Sequence, residues 1–185
     1  MNMKAVRSSS RRVALITGAS YGIGAASALA LAKDGCDVAV ADLDTATLRD
    51  TVAAVEATGA RAFALALDVT DQASVEQGFA RAVAEFGRMD VLVNNAGVPL
   101  NKPALETTRD EWERVLAVNL TGAFFVSQQI GRHLVAAKRP GCIVNLASTF
   151  SFIATPGFTA YSVARPASRI SRRCWQSNGP GTASA

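Results

Sequence analysis

Apolar residues along this chain fall into two alternating rhythms. Val13–Thr17, Val38–Ala41, Ala62–Leu67, Val91–Asn94 and Ile143–Leu146 are apolar at nearly every position, the pattern of strands buried on both faces. The stretches between them have helical spacing. Ala25–Lys33 is Ala-rich and ends at Gly35. Thr45–Thr58 sets Leu48, Val52 and Val55 on one face and closes at Gly59. Asp71 is placed to cap Ala73–Phe86, which Gly87 ends, and the stretch from Arg109 to about Lys138 is the longest. Strands alternating with helices predict an α/β fold, a doubly wound parallel sheet, because right-handed crossovers must pass over the sheet faces.

The 185 residues suit one domain, and 49% hydrophobic with 18% charged residues excludes a disordered chain, a collagen-like repeat or a disulfide miniprotein. The formal charge of +4 sits at the ends. Residues 1–12 and 165–185 each carry four basic residues and no acid, whereas Val13–Ala164 holds 11 basic residues against all 15 acids. A nucleic-acid surface would be basic in the folded body, so no nucleic-acid partner is expected. The expected organisation is a disordered basic tail at 1–12, a domain at 13–164 and a polar, aperiodic segment at 165–185. Cys36, Cys142 and Cys174 are odd in number and lack CxxC spacing, so neither disulfides nor a zinc site is expected, and a cytoplasmic location is. No apolar run approaches the ~18 residues of a membrane span, and Met1–Arg12 lacks the apolar core of a secretory signal.

The chemistry is concentrated at strand ends. Thr17-Gly18-Ala19-Ser20-Tyr21-Gly22-Ile23-Gly24 follows the first strand and opens the first helix. Glycines there let the backbone turn sharply and approach a diphosphate, which then faces the helix's free N–H groups and positive end. The plain alternative is a tight turn with packing glycines. Asp42 follows the second strand, 24 residues after Gly18. A carboxylate there accepts hydrogen bonds from ribose hydroxyls and repels a 2′-phosphate, which favours NAD over NADP. Asp44 suits helix capping better than Asp42 does.

These motifs, with Asp68-Val69, Asn94-Asn95-Ala96-Gly97, Asn119 within Val118-Asn119-Leu120, Ser148 and Tyr161, occur in an order that resembles the short-chain dehydrogenase/reductase family, over about Val13–Ala164. The resemblance implies a Rossmann-like fold and hydride transfer between a nicotinamide cofactor and a secondary alcohol or ketone. It implies Tyr161 as acid/base, Ser148 as the donor orienting the substrate oxygen and Asn119 as the anchor of a relay water. Asp68 and Val69 would flank the adenine, with Asn95, Ala96 and Gly97 lining the cofactor. A homo-oligomer is expected of the family. The inventory argues against rival chemistries: His133 is the only histidine and lies within a helical stretch, which serves neither a Ser-His-Asp triad nor zinc ligation.

One departure stands out. The family pattern Y-x-x-x-K reads here as Tyr161-Ser162-Val163-Ala164-Arg165, followed by Pro166. A free phenol ionises near pH 10, and base catalysis near pH 7 requires lowering that by about 3, roughly 4 kcal/mol. The family lysine supplies charge for this, binds ribose hydroxyls and relays protons. Arginine keeps the charge, but it does not deprotonate in proteins and so makes a poor relay. Pro166 lacks an N–H and biases Arg165 away from helical angles. Codon degeneracy offers a cause: a one-nucleotide deletion near codon 165 would convert the codons for K-A-G-V into those for Arg-Pro-Ala-Ser at 165–168. On that reading 165–185 is a frameshifted tail, the sheet is truncated after about five strands with an uncovered fifth, and both turnover and oligomerisation are impaired. Most substrate-selecting residues would then be absent. The nucleotide sequence of codons 163–167 decides this. A non-catalytic dinucleotide-binding module or sensor is the alternative function.

Overall fold

The computed structural model describes residues 10–153 and 156–165. The expected tail at 1–9 and the segment at 166–185, with Cys174 and Pro166, lie outside the described residues. Arg11 and Arg12, assigned to the tail from sequence, are held: Arg12 pairs with Asp34 at 3.0 Å, and Arg11 Nη1 donates to the Gly59 carbonyl at 3.2 Å.

Five strands, β1 (Val13–Thr17), β2 (Asp37–Asp42), β3 (Ala62–Ala66), β4 (Val91–Asn94) and β5 (Cys142–Asn145), form one parallel sheet in the order β3-β2-β1-β4-β5. Helices α1 (Gly22–Lys33) and α2 (Arg49–Glu56) cover one face. There Ala28, Ala32, Leu48 and Val55 pack on Ala14, Ile16, Val38 and Val40. Helices α3 (Gln72–Phe86) and α5 (Ala123–Ala137) cover the other, where Val75, Phe79, Phe86, Val126 and Ile130 pack on Val13, Leu15, Ala39 and Leu65. The two interleaved sets of strand residues explain why β1 and β2 are apolar throughout.

Local signals set the ends. Asp71 accepts from Ala73 N and caps α3, which Gly87 ends at φ 77°. Two stretches differ from the expectation. Thr45–Leu48 is a 3₁₀ turn, capped by Asp44, that leads into α2. The long Arg109–Lys138 stretch is broken: α4 (Arg109–Leu116), started by a Thr108–Glu111 capping box, passes into a π-helical segment at Ala117–Gly122 before α5 begins. At the foot of the sheet, buried Asp90 accepts from Val13 N at 2.8 Å and takes both ends of the Arg88 guanidinium at 2.7 Å, fastening β1 to the start of β4. Among the described residues strand β5 pairs with β4 alone and is only partly covered, with Val144 45% exposed.

Candidate active site

From β1 the chain builds the sheet outward to β2 and β3 on one side and then to β4 and β5 on the other, the topology in which a crevice lies between β1 and β4 at their carboxyl ends. Thr17–Gly24, Asp42, Asp68–Val69, Asn95–Gly97 and Ser148 stand at or after the carboxyl ends of β1, β2, β3, β4 and β5 in turn.

The glycine loop is braced from β4. Asn95 Nδ2 donates to the carbonyls of Thr17 at 3.1 Å and Gly18 at 2.7 Å. In return Thr17 Oγ1 accepts from Asn95 N and Ala96 N. Gly18 has φ 65°, and a Cβ on Gly24 would lie 2.1 Å from the Gly18 carbonyl oxygen, so both positions require glycine. Buried Thr51 holds the loop from α2 by donating to the Ala19 carbonyl at 2.9 Å. Tyr21, at the N-cap of α1, makes no side-chain capping bond, and Tyr21 and Ile23 are exposed. Among the described residues nothing lies within 4 Å of where a Cβ on Gly22 would sit. The start of α1 is therefore uncrowded and has no side-chain cap from Tyr21, a helix start whose N–H groups suit a diphosphate.

Asp42 closes β2 beside this loop. Its carboxylate accepts from Ser20 N at 3.2 Å, from Ser20 Oγ, and from Leu43 N at 2.9 Å. Among the described residues no lysine or arginine forms an ion pair with it. Asp68 folds back on its own turn, accepting from Thr70 N and Oγ1 at 2.8 and 2.7 Å. Its neighbour Val69 is buried, and its backbone and side chain press on Gly122 of the π-helical segment.

Asn119 explains that segment. It is buried, its Oδ1 accepts from Val98 N at 2.8 Å, and its Nδ2 donates to Val98 O at 2.9 Å. The widened turn brings this amide against the loop that follows Gly97. Asn94, given no individual role from sequence, joins three elements: its Nδ2 reaches Ala123 O, Ser127 Oγ and Asn145 Oδ1 at 2.8–3.0 Å.

Ser148 begins a 3₁₀ turn after β5, and its Oγ accepts from Phe150 N at 3.2 Å. Tyr161 lies on a helical turn at 159–165, its ring edge-on to Phe150 at 6.1 Å between centroids. Phe150 is thus the common neighbour of both. The loop at 98–103 is tied to this region by Lys102 N, which donates to Gly157 O at 2.7 Å, and Lys102 Nζ meets both Glu111 oxygens at 2.9 Å. Lys102, with Thr108, brings the Glu111 carboxyl down to about 2. A cavity of about 350 Å³ beside this turn is lined by Ala104, Thr107, Thr108, Arg109, Trp112 and Thr159, and by neither Ser148 nor Tyr161.

Arg165 remains helical and is buried, so the bias from the following proline does not displace it. Nη1 donates to Leu146 O at 2.9 Å, Nη2 lies against the Cα of Gly97, and the guanidinium carbon stands 4.9 Å from the Tyr161 ring centroid. Among the described residues its Nε has no hydrogen-bond partner. Leu146 and Gly97 belong to two separate loops, whereas Tyr161 lies one turn back on the same helical segment.

The strongly placed charges lie at the opposite end of the sheet. Burial alone would push the Asp90 carboxyl up, but Arg88 and the Val13 N–H outweigh it and hold it below the usual range. Burial lowers the His133 imidazole, Asp90 opposes this, and Arg139 adds to it. Among the described residues no cluster of three or more His, Cys, Asp or Glu could hold a metal, and no helix is long and apolar enough to cross a membrane.

A family model described as short chain dehydrogenase matches residues 12–176. The chain is 42% identical over 137 residues to the sorbitol dehydrogenase of Cereibacter sphaeroides, covering 74% of this chain and 52% of that protein. A short chain dehydrogenase from Mycobacterium smegmatis superposes with a TM-score of 0.85 at 32% identity, covering 89% of this chain and 69% of that one. An NAD⁺-bound xylitol dehydrogenase superposes at 0.80 with 35% identity, covering 84% and 60%. Curated relatives are longer: the chain spans 60%, 52% and 27% of three of them.

Proposed function

Because this chain belongs to the short-chain dehydrogenase family, we propose that it is an oxidoreductase moving a hydride between a nicotinamide cofactor and a secondary alcohol or its ketone. The observation that carries this reading is the braced glycine loop opening onto the uncapped start of α1, with Asp42 one strand away. Thr17–Gly24 would hold the diphosphate and Asp42 the adenosine ribose. Asp68 and Val69 would flank the adenine, and Asn95–Gly97 would line the nicotinamide side. NAD is favoured over NADP, since an ion-pair-free carboxylate at Asp42 repels a 2′-phosphate. The NAD⁺-bound state of the xylitol dehydrogenase at 35% identity supports the same choice.

Bound NAD⁺ would supply the acceptor for a hydride leaving the carbinol carbon. The proton side of the reaction falls to the chain. Tyr161 takes the hydroxyl proton as the carbonyl forms, and returns it in reduction. Ser148 Oγ accepts from Phe150 N, which leaves its own proton to be donated to the substrate oxygen. Asn119 shapes the widened turn where a relay water would sit.

Arg165 supports a second reading, a module that binds the dinucleotide without efficient turnover, because a fixed guanidinium occupies the place of a relaying amine. Calorimetric titration with NAD⁺, followed by absorbance at 340 nm with secondary alcohols, tests both. Binding with turnover supports the dehydrogenase. Binding alone supports the module, and no binding rejects both.

A further inference from the structure

Arg165 is buried, with 7% of its surface exposed, and it carries a charge that no carboxylate answers. All 15 acidic residues lie between Asp34 and Glu113, so the sequence from Arg114 to Ala185 contains no Asp or Glu. Among the described residues, which include every one of those acids, none forms an ion pair with Arg165. The guanidinium is held on three sides. Nη1 donates to Leu146 O at 2.9 Å, the central carbon stands 4.9 Å from the Tyr161 ring centroid, and Nη2 fills the space where a side chain on Gly97 would begin. A buried charge of this kind is weakly screened by salt. The lysine of the family pattern can shed its proton, whereas arginine stays charged. Gly97 therefore lies against a fixed, permanent and unneutralised cation.

We propose that Arg165 sets the redox preference of the cofactor site, so that the chain binds NADH more tightly than NAD⁺. This rests on the cofactor placement above, in which Asn95–Gly97 line the nicotinamide side. At that end the two forms differ by one charge, since the oxidised ring is cationic and the reduced ring is neutral. The guanidinium repels the first and not the second, a bias of about tenfold at the effective dielectric of a partly buried site. It bears on both readings of the function. A dehydrogenase would release NADH slowly, and a binding module would fill mainly with the reduced form.

The test is calorimetric titration of the full chain with NADH, with NAD⁺ and with ADP, which lacks the nicotinamide and its ribose. The proposal expects NADH to bind about tenfold more tightly than NAD⁺. Arg165→Met, which keeps the length and removes the charge, should bring the two within about threefold and leave ADP within about twofold of the parent. Removing an unpaired buried charge relieves a desolvation cost, so this variant should fold, and Arg165→Gln is a second neutral variant. Equal affinities for NADH and NAD⁺ in the parent chain, or a preference unchanged in both variants, overturns the proposal. So does an equal loss of ADP and NADH affinity in Arg165→Met, which would make Arg165 a general support of the site. If ADP binds and the two nicotinamide forms are not distinguished, this proposal alone falls. If none of the three binds the parent chain, the cofactor reading falls and takes this proposal with it.

Discussion

Replacing Gly24 with alanine would push the first turn of the glycine loop apart. The added methyl would lie 2.1 Å from the Gly18 carbonyl oxygen and 2.6 Å from Asn95 Nδ2. A carbon and an oxygen in ordinary contact stand about 3.3 Å apart, so the Gly18 carbonyl must retreat by roughly 1 Å. That carbonyl accepts the 2.7 Å bond from Asn95, which the retreat breaks. Overpacking costs about 1–3 kcal/mol, and the lost hydrogen bond adds about 1. For a domain of this size the sum lowers Tm by about 4–16 °C. A cradle displaced by ~1 Å should also bind NAD⁺ about a hundredfold more weakly. Gly35→Ala is the control for backbone strain. Gly35 has φ +84° with nothing within 4 Å of its Cβ position, so the variant carries a strain of about 1–2 kcal/mol away from the loop. Thermal unfolding followed by circular dichroism and NAD⁺ titration calorimetry read the two effects separately. If Gly24→Ala binds NAD⁺ within threefold of the parent, or Gly35→Ala loses as much affinity, the cradle argument is wrong.

Further predictions concern the rest of the molecule. Asp42→Ser should narrow the preference for NAD⁺ over NADP⁺ by about tenfold in competition titrations, and an unchanged ratio would remove Asp42 from cofactor selection. Arg165→Lys should raise turnover at 340 nm, whereas equal rates would show that a relaying amine is not what limits the chain. Asp90→Ala leaves Arg88 and the Val13 N–H without their buried acceptor and should cost about 3–5 kcal/mol in urea unfolding. His133 Nε2 accepts from Met89 N at 3.2 Å, which only the neutral ring can do. With its folded pKa below 6.5, the unfolded chain takes up the proton first. The His133 contribution is therefore complete above pH 6.5 and declines as pH falls below it. His133→Gln should flatten the stability change between pH 7.5 and 5.5, and a wild-type chain with no slope there would refute the assignment.

The strands were legible because burial on both faces leaves an unbroken apolar run, as in Val13–Ile16. The ends of α3 were legible because Asp71 and Gly87 act locally. The π-helical segment was not, because it depends on a contact between Asn119 and Val98, 21 positions apart. Asn94 lay inside a recognised motif, yet its clamp needs Ser127 and Asn145, which only the folded sheet brings near. At Arg165 the local signal pointed away from a helix, while Leu146 O and Tyr161 hold the side chain in place. The candidate site could be enumerated from motif order. The packing of Phe150 against Phe158 and Tyr161 could not, since it is tertiary.

The most direct measurement is a backbone amide chemical-shift map of the isotopically labelled chain during titration with NAD⁺. The account predicts saturable shifts centred on residues 17–24, on Asp42, on Asp68 and Val69, and on 95–97, with little change around Arg88, Asp90 and His133. Shifts confined to the far end of the sheet, or none at millimolar NAD⁺, would contradict it.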